Sequence, residues 1–214
     1  MLSDHEYFLK TPFAFSENAK DWILFYYKDK FKNAFYHDLD VTSFQSQVDW
    51  HRSIAGKELI QFLSLYKCDT KYYGINSFIS NHPEQYVGNP HIDTKFANGL
   101  QYRIQTRFNI LVLGNPLDEM VWWDDMIYGD DRMVDLSFKS LTGKEYISKG
   151  VPGNTVEERW AFMGKPTIRE SNLLSPSAFV RTDCAHTVSI SKGPRLIVTV
   201  AIDKPIKELQ YAVG

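Results

Sequence analysis

The stretch that most restricts the fold of this chain is HTVSISKGPRLIVTVAI, residues 186–202. In HTVSIS, His186, Val188 and Ile190 alternate with Thr187, Ser189 and Ser191, the period of two of a strand with one buried face. RLIVTVAI, also read as a strand, is nearly apolar on both faces apart from its opening Arg195. Lys192-Gly193-Pro194 between them signals a tight turn, so the two runs are expected to form a hairpin. Short runs punctuated by Gly, Pro, Asn and Asp recur from residue 71 onward: KYYGINSFIS, NPHIDTKF, QTRFNILVLG closing on Gly114-Asn115-Pro116, MVWW and SAFVRTD. So many short strands imply an antiparallel sandwich or barrel.

Ahead of the strands the hydrophobic period lengthens. AKDWILFYYKDKFKNAF places Ile23, Tyr27, Phe31 and Phe35 four residues apart, one face of a helix that Ser16 or Asn18 can cap. A second helix is expected around residues 54 to 66, capped by Ser53 and striped by Leu59, Ile60, Leu63 and Tyr66. No repeat or linker divides the 214 residues, so a single domain is expected. Residues 1–68 form a mainly helical support and 70–203 the β core, with a lid-like insertion near 118–176.

A formal net charge of −2 leaves no electrostatic footprint for nucleic acid. A small molecule or peptide is the expected partner, and no nucleic acid. The segment MLSDHEYFLK lacks the basic start and apolar run of a secretory signal, and no stretch approaches the length of a membrane span. A cytoplasmic location is therefore expected, with no membrane partner. Cys68 and Cys184 are then reduced core residues.

Four residues carry candidate chemistry. In an extended chain His91 and Asp93, two apart, point the same way and can share one ion. His186 shares its face with Val188 and Ile190 and so points inward. An inward histidine alone is more often a satisfied core residue than a ligand. Arg195, nine residues on, opens an apolar strand, and a guanidinium there must reach solvent, pair with a structural acid or meet an anionic ligand. Thr199 lies on its face.

The order His91-x-Asp93, then His186, then Arg195, set in NPHIDTKF and DCAHTVSISKGPRLIVTVAI, resembles the iron(II)- and 2-oxoglutarate-dependent dioxygenase superfamily, with texture similar to its prolyl or aspartyl/asparaginyl hydroxylase branches. The resemblance spans residues 70–203. It implies a mainly β fold, a double-stranded β-helix (jelly-roll, cupin-like) with the amino-terminal helices packed on it. It also implies Fe(II) held by His91, Asp93 and His186, with 2-oxoglutarate and O2 as cosubstrates. Arg195 would then grip the far carboxylate of 2-oxoglutarate, and Thr199 would add a hydroxyl donor. Arg107, at the head of RFNILVLG, would touch cosubstrate or substrate. The implied reaction is hydroxylation of an amino acid, a peptide or protein side chain or another small molecule. Related halogenases lack the carboxylate, so Asp93 points to hydroxylation. Ile197 departs from the pattern, since many members carry Ser or Thr there.

Two alternatives stay open: a non-catalytic jelly-roll binding or sensor domain, and another cupin-type metalloenzyme. The chain has no H-E-x-x-H, P-loop or G-x-S-x-G motif. His82-Pro83-Glu84 is a second, weaker ligand pair, because Pro83 suits a loop or strand edge. The segment MVWWDDMIYGDDRMVD reads either as an aromatic and acidic rim for a cationic substrate or as core tryptophans followed by a solvated charged loop.

Overall fold

The computed structural model describes residues 7–31, 37–39, 49–68, 75–82, 84–97, 100–139, 145–171, 173–174, 176–202 and 204–210. Two antiparallel sheets lie face to face. The first runs in the order β1 (Phe8–Thr11), β13 (Ser177–Arg181), β8 (Thr106–Leu113), β15 (Gly193–Ile202), β3 (Ile75–His82) and β2 (His37–Leu39). The second runs β10 (Val134–Lys139), β11 (Glu145–Gly150), β5 (His91–Ile92), β14 (Cys184–Ile190), β9 (Glu119–Ile127) and β12 (Ile168–Glu170), with β4 (Tyr86–Val87) on β14. β6 (Thr94–Ala97) and β7 (Leu100–Arg103) pair as a separate ribbon. From β3 the chain passes to β5, β8, β9, β13, β14 and β15, crossing from one sheet to the other at each step. That is a double-stranded β-helix, or jelly roll, and its two inner faces supply a core between them.

β15 explains the two-sided apolar pattern of RLIVTVAI. Leu196, Val198 and Val200 face the helices, in one cluster with Ile23 and Tyr27 of α1 (Glu17–Phe31), Leu59 and Leu63 of α2 (Ile54–Ser64), and Phe108 and Ile110 of β8. Ile197 faces the second sheet, in a cluster with Met120, Trp122, Ala178 and Val180. Burying a side chain such as Leu or Val contributes about 1.5–3 kcal/mol, so covering both faces of this strand binds the three layers together. β14 and β15 do not form the hairpin expected from the turn signal. β14 is occupied along its edges by β9 and by β4 and β5, while β15 lies between β3 and β8. The connection at Ser191–Gly193 carries the chain between sheets, and Gly193 takes it at a φ of +116°.

The helices follow their expected stripes. Ile23 and Tyr27 are buried, and Ser16 Oγ accepts from the Ala19 amide at 3.2 Å to cap α1; Phe35 lies outside the described residues. In α2, Leu59, Leu63 and the following Tyr66 are buried, but Ile60 is exposed. Ser53 is the cap, its Oγ accepting from the Gly56 amide at 2.9 Å and donating to the Trp50 carbonyl at 2.7 Å. The expected strand KYYGINSFIS is present from Ile75, its first four residues lying outside those described. Residues 118–176 contribute β9 to β12 to the second sheet, and α3 (Val156–Met163), whose Trp160 packs edge-on to Trp123 at 5.0 Å. A short helix, α4 (Ile206–Gln210), follows β15. Among the described residues no helix is long and apolar enough to cross a membrane.

Gly56 yields a test of the packing. A Cβ at this position would lie 1.7 Å from the Trp50 carbonyl oxygen. Gly→Ala within a helix ordinarily stabilises by about 1 kcal/mol; here Gly56→Ala is expected to destabilise, lowering the midpoint of urea unfolding followed by circular dichroism.

Candidate metal centre

At the middle of the second sheet, β5 pairs with β14 so that His91 stands opposite His186. The two imidazole rings are 4.6 Å apart between centroids. Asp93 follows β5 directly. Its amide donates to the Thr182 carbonyl at 3.0 Å and its carbonyl accepts from the Ile104 amide at 3.1 Å, so the backbone bearing the carboxylate is fixed by the loops ahead of β14 and β8. Asp93 Oδ1 is 3.6 Å from His91 Nε2, and Oδ2 is 4.0 Å from His186 Nε2. The potential ligand atoms of His91, Asp93 and His186 all lie within 4.8 Å of one another, close enough for small side-chain rotations to bring them onto one cation.

Both imidazoles are oriented for that role. His91 Nδ1 is 2.8 Å from the Asn89 carbonyl and His186 Nδ1 is 2.9 Å from the Cys184 carbonyl. A carbonyl oxygen only accepts, so each Nδ1 carries the hydrogen; a neutral ring then has its lone pair on Nε2, while His91, when protonated, donates from Nε2 to Asp93. Burial, aided by the neighbouring His91, pulls His186 down to about 4, which keeps it neutral near pH 7. Burial would also lower His91, but the hydrogen bond and charge of Asp93 outweigh it and raise His91 above the ordinary imidazole value. Burial pushes the Asp93 carboxyl up; the charge of Arg107 and the contacts from the two histidines prevail, holding it well below the usual carboxylate range. The side chain of His91 is 35% exposed, against 13% for Asp93 and 5% for His186, so the centre opens to solvent on the His91 side.

Arg107, from the first sheet, reaches across the sandwich and donates from Nε to Asp93 Oδ2. Thr199 lies beside Asn109 of β8 and donates its hydroxyl to Asn109 Oδ1 at 2.5 Å. Arg195 is buried, 3.1 Å through Nε from Asp118 Oδ2. Desolvation pulls its guanidinium down to about 10, against the opposing charge of Asp118. Asp118 is itself placed by the Ser191 amide, which donates to Oδ1 at 2.8 Å. The structure thus brings the two histidines and the aspartate together, and puts Arg107 on the aspartate, Arg195 on a buried acid and Thr199 on an asparagine. Asp118 is absent from the sequence expectation. Its signal was the requirement that a buried guanidinium find an anion, which does not say which acid answers.

The tryptophans and acids after residue 119 behave as core and charged loop. Trp122 and Trp123 are buried. Asp124 accepts from the Tyr7 and Thr167 hydroxyls, Asp130 is held by Arg132, and Asp135 pairs with Lys149. Trp160 Nε1 donates to the Gly88 carbonyl at 3.3 Å, tying α3 to the segment that enters β5. The second ligand pair, His82 to Glu84, runs through Pro83, which lies outside the described residues.

Several solved structures are similar to this one. HygX from Streptomyces hygroscopicus, with nickel and 2-oxoglutarate bound, is 11% identical over 93% of this chain and 83% of its own, with a TM-score of 0.49. The viral collagen prolyl hydroxylase of Paramecium Bursaria Chlorella virus-1, as its 2OG complex, is 10% identical over 93% of this chain and 96% of its own, with a TM-score of 0.39. A Pseudomonas putida prolyl-4-hydroxylase is 10% identical over 92% of each chain, with a TM-score of 0.38. No protein-family model matches the chain, and no curated protein matches it. At these identities and TM-scores, the roles of individual residues rest on the geometry above.

If these three side chains form one centre, His91→Ala, Asp93→Ala and His186→Ala will each weaken Co(II) binding to the metal-free protein more than about 100-fold, beyond the usual effect of losing an outer contact. Competition against a coloured chelator measures it; binding unchanged in any one of them removes that residue from the centre.

Proposed function

We propose that this protein is an Fe(II)- and 2-oxoglutarate-dependent oxygenase that hydroxylates an amino acid, a peptide or protein side chain or another small molecule. The observation that carries this reading is the convergence of two Nε2 atoms and one carboxylate on one side of the second sheet, with each Nδ1 hydrogen already spent on a backbone carbonyl. Two neutral imidazoles and one carboxylate with open positions suit Fe(II) oxygen chemistry. Bound there, Fe(II) would supply the conversion of 2-oxoglutarate and O2 to succinate and CO2, with one oxygen atom delivered to a substrate C–H as hydroxyl.

The chain's own part is placement and exclusion of water. His91, Asp93 and His186 would hold the ion. Arg195, on the inner face of β15, would hold the remote carboxylate of the cosubstrate through its charge and planar fork. Ile197, Met120 and Trp122 give the space between the sheets apolar walls, and a dry surround strengthens each charge contact made inside. The exposed side of His91 is where cosubstrate and substrate would enter.

A second reading, a jelly-roll binding domain without turnover, is favoured by the Arg195–Asp118 pair, because the guanidinium meant for the cosubstrate already has a carboxylate partner. The two readings separate cleanly. Under the first, anaerobic addition of 2-oxoglutarate to the Fe(II) protein produces a visible charge-transfer band, and admitting O2 releases succinate. His91→Ala, Asp93→Ala and His186→Ala abolish both, while Arg195→Met raises the dissociation constant for 2-oxoglutarate by roughly 30- to 100-fold, the scale of a lost charged bidentate contact. Under the second, the wild type gives neither band nor succinate, and Asp118→Asn creates anion binding that the wild type lacks.

A further inference from the structure

The ion pair between Arg107 and Asp93 is unusual in its placement. It joins the two sheets, with Arg107 on β8 and Asp93 just past β5, and its members are only 12% and 13% exposed. Asp93 is also the acidic member of the candidate metal centre, so a positive charge is held against the one anionic donor that a cation would use. An arginine serving only to neutralise a buried acid could have met it anywhere along the carboxylate. Here it takes Oδ2, the oxygen 4.0 Å from His186 Nε2, and its Nε leaves Oδ1, 3.6 Å from His91 Nε2, to the ion.

We propose that Arg107 is a positioning residue for the metal centre: by hydrogen bonding to Oδ2 of Asp93 it keeps that oxygen from serving as a second ligand and leaves Oδ1 to the ion, and it weakens the hold on the ion in exchange for an open coordination position. The inference rests on the metal-centre reading above and deepens it. A carboxylate released from Arg107 is free to turn both oxygens toward one cation and fill a position that a chelating keto acid needs. The electrostatic consequence has a definite sign. In the metal-free protein Asp93 and Arg107 cancel, so a divalent ion enters beside a net neutral pair and a nearby like charge. Without Arg107 it enters beside an uncompensated, mostly buried carboxylate, a stronger cation site. Removing Arg107 is therefore expected to tighten metal binding while impairing use of the centre. Damage to the scaffold would weaken both.

The test uses the full chain, loaded with Co(II) as a spectroscopic probe. Arg107→Met is expected to bind Co(II) roughly tenfold more tightly than wild type, the scale of a partly screened like-charge contact. Its visible Co(II) spectrum should change before any cosubstrate is added, as expected when a further oxygen enters the coordination sphere, and its affinity for 2-oxoglutarate in the Co(II)-loaded state should fall at least roughly tenfold. Arg107→Gln retains a hydrogen-bond donor for Oδ2 without the charge. It should show the tighter binding and keep the wild-type spectrum, and it keeps the proposal testable if Arg107→Met does not fold. Weaker or unchanged Co(II) binding in a folded Arg107→Gln protein would overturn the role assigned to Arg107 and leave the centre itself intact. A fall in 2-oxoglutarate affinity in Arg107→Met with an unchanged cosubstrate-free spectrum would also overturn it, pointing to direct contact of Arg107 with the cosubstrate. Failure of the wild type to bind Co(II) at all would instead remove the metal-centre reading, and this inference with it.

Discussion

The pairing of β5 with β14 is the constraint on which the site depends. β5 has two residues and β14 has seven, and their register places His91 across from His186. Side chains directly opposite on neighbouring antiparallel strands stand about 4.5–5.5 Å apart at Cβ, so two imidazoles in that relation need only turn their Nε2 atoms toward a common point. The carbonyls of Asn89 and Cys184 turn them. Asp93 enters from beyond the end of the short strand, where the backbone has left the ladder and is bound to the Thr182 carbonyl. A longer β5 would carry the chain straight on; its termination lets the acid fold back over the two rings.

The inner faces of a sandwich are ordinarily apolar, yet this one admits two arginines. Each is matched by a carboxylate from outside its own strand, Arg107 by Asp93 and Arg195 by Asp118. Buried pairs of this kind add little net stability, since desolvation of both charges offsets their attraction, but loss of one partner is costly. The apolar neighbours Ile197, Met120 and Trp122 keep the rest of that layer closed.

Much of this was legible in the residues. RLIVTVAI was legible as a strand, and its two apolar faces are accounted for by Leu196, Val198 and Val200 against the helices and Ile197 against the second sheet. The helices over Glu17–Phe31 and Ile54–Ser64 and the Ser53 cap followed from period and capping chemistry. The hairpin expected across Lys192-Gly193-Pro194 failed because a turn signal specifies a reversal of the chain and not the partner on either side. β14 and β15 each find other neighbours, a choice made by long-range register. The meeting of His91, Asp93 and His186 could be framed as an order of residues, but the partners of Arg107, Arg195 and Thr199 depend on which strands lie opposite, which spacing along one chain does not encode. The two tryptophans of MVWW were ambiguous for a related reason: a buried ring and a rim ring have the same sequence, and only the sheet in front of Trp122 decides.

The link from β14 to β15 has a consequence for how such a chain can vary. Leu196, Val198 and Val200 face the helices and Ile197 the second sheet, so the inward aim of Arg195 is a matter of its parity with Ile197. One residue gained or lost between Arg195 and Ile197 without a compensating bulge would send the guanidinium to the helical layer, among Leu196, Val198 and Val200. A single-residue insertion or deletion at that point is therefore tolerated only where a bulge takes it up, as the β15–β8 ladder does at Leu196/Ile197; otherwise variation proceeds by substitution or by steps of two.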